Sequence, residues 1–168
     1  KGTPDDLTNA ISGPVSDGGM PMRFLATALI GKSGGRVRLV LELKPGRQAS
    51  RSDGTTEIDV LYQVIGAAGK LVTHKSERLQ IANGGPPAED GESWLHYVTE
   101  FDVKAGHYQL RLVAKTLADG TIGSVFGDVE VPDFSKSTPV ITGIMFGAQP
   151  QGRWLAAASE DSLRDRLT

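Results

Sequence analysis

The chain has 168 residues, which is long enough for one domain with a substantial hydrophobic core. Its 18 basic and 20 acidic residues give a formal net charge of -2, and this balance argues against a nucleic acid partner, which needs a basic surface. The lack of cysteine removes disulfides, thiol nucleophiles and thiolate metal ligands, and the apolar runs are too short to predict a membrane span.

The N-terminal segment, residues 1–21, is rich in turn-forming residues, and we expect it to be a partly ordered linker. Because the sequence begins at Lys1 and not at a methionine, we expect a mature product or a piece of a longer protein. Over the whole chain, 21 glycines and 9 prolines without a repeat period favour many turns and short β-strands.

Apolar and polar residues alternate after the linker. The alternation covers three segments, at 22–30, 37–43 and 58–64. A period of two is typical of half-buried antiparallel strands. Residues 67–70, with the sequence AAGK, then predict a hairpin turn into a strand that runs from about Leu71 to Ile81.

The second half of the chain continues the pattern. Further strands are predicted at 94–103, after Gly106 and at 123–131, where Pro132 ends the last of them. Residues 140–146 predict either an eighth strand or a segment along a sheet edge, and residues 159–167 favour a short helix. We therefore place a β-sandwich domain at 22–147 and a C-terminal extension at 148–168.

The stretch DVKAGHYQLRLVAKT contains a turn, a histidine and a tyrosine, residue types that also occur in reactive sites. A tyrosine just after a tight turn is typical of the tyrosine corner of Greek-key sandwiches, in which its hydroxyl bonds to upstream backbone. We therefore interpret Gly106 and Tyr108 as a structural corner. Tyr108 is predicted to face the core, and His107 to face solvent.

Several short motifs resemble catalytic or metal sites without the context that such sites require. Gly31–Gly35 fits a nucleophile elbow, but a strand follows it where the elbow needs a helix. Asp133–Ser137 fits a magnesium-binding signature but lies between prolines. His74, His96 and His107 are scattered, and zinc needs converging ligands. We predict no catalytic residue, no metal site and no cofactor.

Three aromatic residues are the candidate binding residues of the chain. Trp94, Tyr97 and Trp154 have the side chains that stack on sugar rings, although single aromatics on strands more often fill a core or its rim. Acidic turns such as EDGE leave calcium binding open as well, although they lack alternating ligand spacing.

The region from Leu25 to about Phe146 resembles the β-sandwich that follows the von Willebrand factor A domain in secreted bacterial proteins of the VWFA-related type, common among acidobacteria. Four short motifs carry the resemblance: Lys104–Arg111, Gly123–Val125, Val131–Ser135 and Ile144–Phe146. The resemblance implies an extracytoplasmic accessory module of a larger bacterial protein. It implies no catalytic residues, and the A domain itself is absent from this chain.

Together these observations predict an all-β fold, an immunoglobulin-like or fibronectin type III-like antiparallel sandwich of seven or eight strands in Greek-key order. We expect a noncatalytic spacer or protein-interaction module whose partner is a protein, either its own upstream domain or an envelope protein. The alternative is a ligand-binding accessory module that recognises carbohydrate or depends on calcium. A hydrolase is the third interpretation, and no triad of nucleophile, base and acid supports it.

Overall fold

The computed structural model describes residues 5–13, 18–31, 34–46, 54–82, 94–136 and 153–156. These residues contain one α-helix, one 3₁₀ turn at Ala67–Gly69 and eight strands. The helix and strands are α1 (Asp5–Ser12), β1 (Met22–Gly31), β2 (Gly34–Leu43), β3 (Thr55–Ile65), β4 (Leu71–Ala82), β5 (Leu95–Val103), β6 (Gly106–Thr116), β7 (Ile122–Val131) and β8 (Arg153–Ala156).

The strands form two sheets with the orders β1-β2-β5-β8 and β4-β3-β6-β7, which we call sheet A and sheet B. Neighbouring strands are antiparallel, except that β8 runs parallel to β5. Consecutive strands β2 and β3 lie in different sheets, as in immunoglobulin constant domains, but here the fourth strand pairs with the third. The predicted all-β, immunoglobulin-like Greek-key sandwich is therefore confirmed.

Alternating side chains of both sheets build the core. On β2 and β3 the residues predicted to face inward are almost fully buried, because the inner face of each strand lies against the other sheet. The rings of Tyr62 and Phe101 stack across the sandwich with centroids 5.5 Å apart. Deeply buried aliphatic residues on these strands and β6 include Val37, Leu39, Leu41, Leu43, Ile58, Val60, Val64, Leu110, Leu112 and Ala114.

One side of the sandwich is closed by the contact of β1 with β7, and two glycines of β7 permit that contact. A Cβ on Gly123 would lie 2.3 Å from the Met20 carbonyl oxygen, and one on Gly127 would lie 2.7 Å from the Phe24 ring. Met20 also donates a backbone hydrogen bond of 3.0 Å to Ile122. Because no side chain projects from these two positions, the edges of the two sheets approach closely.

The segment predicted to be a linker contains helix α1, which the sequence pattern did not predict. Leu7 and Ile11 are fully buried against Leu61 and Val113 on the outward face of sheet B. The apolar residues of α1 lie at helical spacing but cover only about one helical turn. Because turn-forming residues surround them, this short pattern did not predict a helix. This small cluster is separate from the main core.

The eighth described strand lies downstream of the predicted one. β8 lies within the region expected to be a C-terminal extension, and it pairs with residues Leu95 to Val98 in the first half of β5. The predicted strand or edge segment at 140–146 and the predicted helix at 159–167 lie outside the described residues. In the described part of the chain, no helix has the length and hydrophobicity needed to cross a bilayer.

Candidate interaction surface

β4 is one of the two edge strands of sheet B, the other being β7, and we call the free side of β4 the β4 edge. β4 has 12 residues and pairs with β3, and no other described strand lies on its far side. Its first residues are apolar and exposed, with Leu71 46% and Val72 45% accessible. A long edge strand presents free backbone donors and acceptors to which another strand can pair.

Two charged residues of β4 point toward the sandwich interior. Lys75 and Glu77 lie opposite the inward-facing Tyr62 and Val60 of β3, so they occupy the core-facing side of β4. The Lys75 ammonium lies 2.6 Å from the Glu77 carboxylate, and both side chains keep partial solvent contact. Inward-pointing charges on an edge strand hinder pairing with an arbitrary apolar strand, because the charges would lose water without gaining partners.

The Glu77 carboxylate also receives a hydrogen bond from the hydroxyl of Tyr97, which lies on β5 in the other sheet. Burial and this contact raise the pKa of the Tyr97 hydroxyl above its ordinary value. Burial likewise raises the pKa of the neighbouring Tyr62, whose hydroxyl also contacts Thr99. The side of the sandwich below β4 is therefore lined by polar groups that bond to one another, unlike the side that β1 and β7 close.

The outward face of β4 is held to β3 by polar pairs. The Arg78 guanidinium donates two hydrogen bonds to the Asp59 carboxylate, at 2.7 and 2.9 Å. Gln80 donates to Glu57 at 2.8 Å. A bidentate arginine–carboxylate pair fixes the geometry of both side chains. These pairs give β4 a defined shape although its other side is free.

The three candidate aromatic residues lie at different positions in the fold. Tyr97 is only 1% accessible and belongs to the core, so its ring is not available for a sugar. Trp94 is partly buried, and the Arg23 guanidinium lies 4.4 Å from the centre of its ring. Trp154 lies on β8, in register with His96 of β5. A buried tyrosine and a tryptophan stacked with arginine do not make a shared flat platform.

The three histidines are far apart in the fold. His74 is exposed on β4, His107 is exposed on β6 beside Glu130, and His96 is buried on β5 with its Nδ1 atom 3.3 Å from Glu42. Among the described ranges, no three histidine, aspartate or glutamate side chains come together as metal ligands would.

The corner around Tyr108 has the geometry of a tyrosine corner. The Tyr108 hydroxyl donates a 2.8 Å hydrogen bond to the Lys104 carbonyl oxygen. Between them Gly106 has a φ of +155°, which favours glycine. The His107 side chain is 83% accessible and points away from the core.

The two remaining motifs have ordinary local structure where they are described. Gly31 ends β1 and Gly34 begins β2, so a hairpin joins two strands at the elbow-like motif. The Asp133 carboxylate accepts hydrogen bonds from the Ser135 amide at 3.1 Å and from its hydroxyl at 2.6 Å. These bonds lower the pKa of Asp133, and both end on its Oδ1 atom, as in an ordinary local turn.

Sequence reasoning missed the β4 edge, although a signal for it was present. The alternation of β4 places Thr73, Lys75 and Glu77 on the face that should be apolar in a central strand. A strand with charges on both faces fits best at a sheet edge.

No protein-family model matches the chain, and no curated protein matches it either.

Proposed function

We propose that this chain is a noncatalytic, extracytoplasmic accessory module of a larger secreted or envelope protein, and that it acts as a spacer and protein-interaction domain. The single observation that supports this most is the β4 edge, a long strand with a free side, exposed apolar residues at its start and charges facing inward. Such an edge suits a partner that adds a strand and matches the charges. The resemblance to sandwiches downstream of A domains supports the extracytoplasmic, bacterial setting.

Site-specific photocrosslinking in the full-length protein tests this proposal. A photoreactive amino acid at Ser76, exposed on β4, should give defined adducts with a protein or with the protein's own upstream domain. The matched position is Lys136, which is also exposed but lies beyond β7. Identical adducts at both positions, or none at Ser76, would count against β4 as an interaction surface.

The carbohydrate alternative has its own test at Trp94. Because Arg23 lies over its ring, a sugar that stacked on that face would have to displace a cation–π contact, and this makes the alternative the weaker proposal. Affinity electrophoresis in soluble polysaccharides measures binding directly. If a polysaccharide retards the wild type and Trp94→Ala abolishes the retardation, a carbohydrate-binding function would be favoured over the interaction module.

A further inference from the structure

The order of charges on β4 makes this strand complementary to itself. β4 carries Lys75, Ser76 and Glu77 in succession, and the two charged residues face the same side of sheet B. In an antiparallel pair, residues directly opposite each other point to the same face. Two copies of β4 related by a twofold axis through Ser76 therefore place each Lys75 opposite the Glu77 of the other copy.

We infer that the partner of the β4 edge is a second copy of this chain, which pairs β4 with β4 in this register and joins the two B sheets into one. This inference deepens the proposed function and rests on it, because it names the partner of the same edge. The two lysine–glutamate pairs at the centre would form four alternating charges in place of the single pair of 2.6 Å in one copy.

The other residues of the strand are compatible with this register. On the outward face, His74 lies opposite Arg78 of the second copy, and the Arg78 charge is already balanced by Asp59. An arbitrary strand would bury Lys75 and Glu77 against uncharged side chains. The inward charges that hinder other partners thus favour this chain, which gives the edge its specificity.

Charge reversal tests the inferred pairing. The wild-type chain should self-associate in sedimentation velocity as concentration rises from low micromolar to millimolar, while Lys75→Glu and Glu77→Lys should each remain monomeric. A mixture of the two variants should form a heterodimer, because one variant then carries two acidic side chains at the axis and the other carries two basic ones. Lys136→Glu makes the same charge change as Lys75→Glu far from β4 and should associate like the wild type.

Cysteine crosslinking tests the register in chains that keep all the native charges. The sequence has no cysteine, so Ser76→Cys introduces a single thiol. Across the axis its Cα atoms would be about 4.5 to 5.5 Å apart, within disulfide range, and mild oxidation should give a covalent dimer. Gln80→Cys, on the same exposed face but away from the axis, should not crosslink.

Three results would overturn the inference: a wild type that stays monomeric at all concentrations, Lys75→Glu that dimerises like the wild type, or equal crosslinking of the two cysteine variants. If Glu77→Lys unfolds because Tyr97 loses its acceptor, Lys75→Glu and the cysteine pair still decide the question. A strictly monomeric chain that still gave Ser76 adducts to another protein would refute the dimer and leave the proposed function standing.

Discussion

At the scale of single residues, Tyr108 shows how one hydrogen bond fixes the path of the chain between the two sheets. Tyr108 lies on β6 in sheet B, and its ring packs against the core. Its hydroxyl bonds to Lys104, which follows the end of β5 in sheet A. The bond thus spans the crossover. It is exposed to solvent, so its contribution belongs to the ordinary range for neutral hydrogen bonds.

Tyr108→Phe should lower the free energy of unfolding by about 1 kcal/mol, because one hydrogen bond is lost. Tyr108→Ala also removes a partly buried ring and should cost about 2–3 kcal/mol, less than a fully buried aromatic would. Urea melts measure both. His107→Ala, at an 83% accessible side chain, is the control and should change stability by no more than about 0.5 kcal/mol. Equal losses at the two positions would contradict this register of β6.

Ala68 has the only positive φ among non-glycine residues of the described chain, with φ 57° and ψ 24°. Its Cβ is strained in this left-handed conformation, which glycine adopts freely. We expect Ala68→Gly to raise the free energy of unfolding by about 0.5–1 kcal/mol. The adjacent Ala67→Gly relieves no such strain and should instead be neutral or destabilising. A loss of stability in Ala68→Gly would show that the turn has another conformation in solution.

At the scale of elements, α1 is held on sheet B by apolar contacts in its middle and polar contacts at its ends. Lys115 contacts Asp6 near the start of the helix, and Arg111 donates a 3.2 Å hydrogen bond to the carbonyl oxygen of Ile11 near its end. The cation at the last turn also suits the negative end of the helix dipole. A helix of eight residues is too short to be stable alone, so these contacts decide whether it forms.

The docking of α1 should depend on pH through Asp6. The hydrogen bond from Lys115 lowers the pKa of Asp6 below the ordinary aspartate value of about 3.9. A carboxyl whose folded pKa is lowered stabilises the fold above its unfolded pKa and loses that contribution as pH falls through the folded pKa. Asp6→Asn should therefore be less stable than the wild type at neutral pH, and the difference should vanish in strong acid.

Hydrogen exchange of the α1 amides is the most direct measurement, because the helix can open without the sandwich. Faster exchange in α1 of Asp6→Asn at neutral pH, with unchanged exchange in β6, is the expected result. Lys136→Met removes a charge elsewhere and should leave α1 unaffected. If α1 exchanged equally fast in Asp6→Asn and in the wild type, the contact of Lys115 with Asp6 would have no part in docking.

The strands were predictable from sequence, and α1 was not, for a physical reason. A half-buried strand repeats its apolar pattern every two residues, so all the strands from β1 to β7 except β4 contain several repeats, and β4 was predicted from the turn that precedes it. Helix α1 has Leu7, Ala10 and Ile11 only. A clearer signal lay in the surface on which α1 packs. Leu61 and Val113 are apolar residues on the outward, mainly polar face of sheet B, which indicates that another element buries them.

The position of a strand within its sheet could not be predicted either. The alternation pattern shows which side chains of a strand face the core, but it does not show which strands lie next to one another. The inward charges of β4 were readable, but the contact of Glu77 with Tyr97 depends on which sheet edges lie on the same side of the sandwich. The different environments of Trp94, which is partly buried, and Tyr97, which is buried, were likewise not readable from their nearby positions in the sequence. The candidate surface therefore needed the structure.

At the scale of the whole molecule, the sandwich is asymmetric, closed by glycines on one side and lined by polar residues on the other. Gly123→Ala should cost about 1–3 kcal/mol of stability, because its Cβ would overlap the backbone of Met20 and force β1 away from β7. Gly18→Ala is the matched control, since nothing lies within 4 Å of its Cβ position. Thermal melts should separate the two variants clearly, and equal midpoints would show that the contact of β1 with β7 has room for an added methyl group.

The Greek-key pairing of β2 with β5 also determines the order in which this chain can fold. β2 ends at Leu43 and its partner β5 begins only at Leu95. During synthesis the β1–β2 hairpin therefore cannot pair with β5 until β3, β4 and β5 have been made. Non-local pairing of this kind makes sandwiches fold in milliseconds to seconds, with apolar surface exposed meanwhile. The apolar residues of β2 alternate with the charged residues Arg36, Arg38 and Glu42. Such charges oppose aggregation of the hairpin before β5 is available.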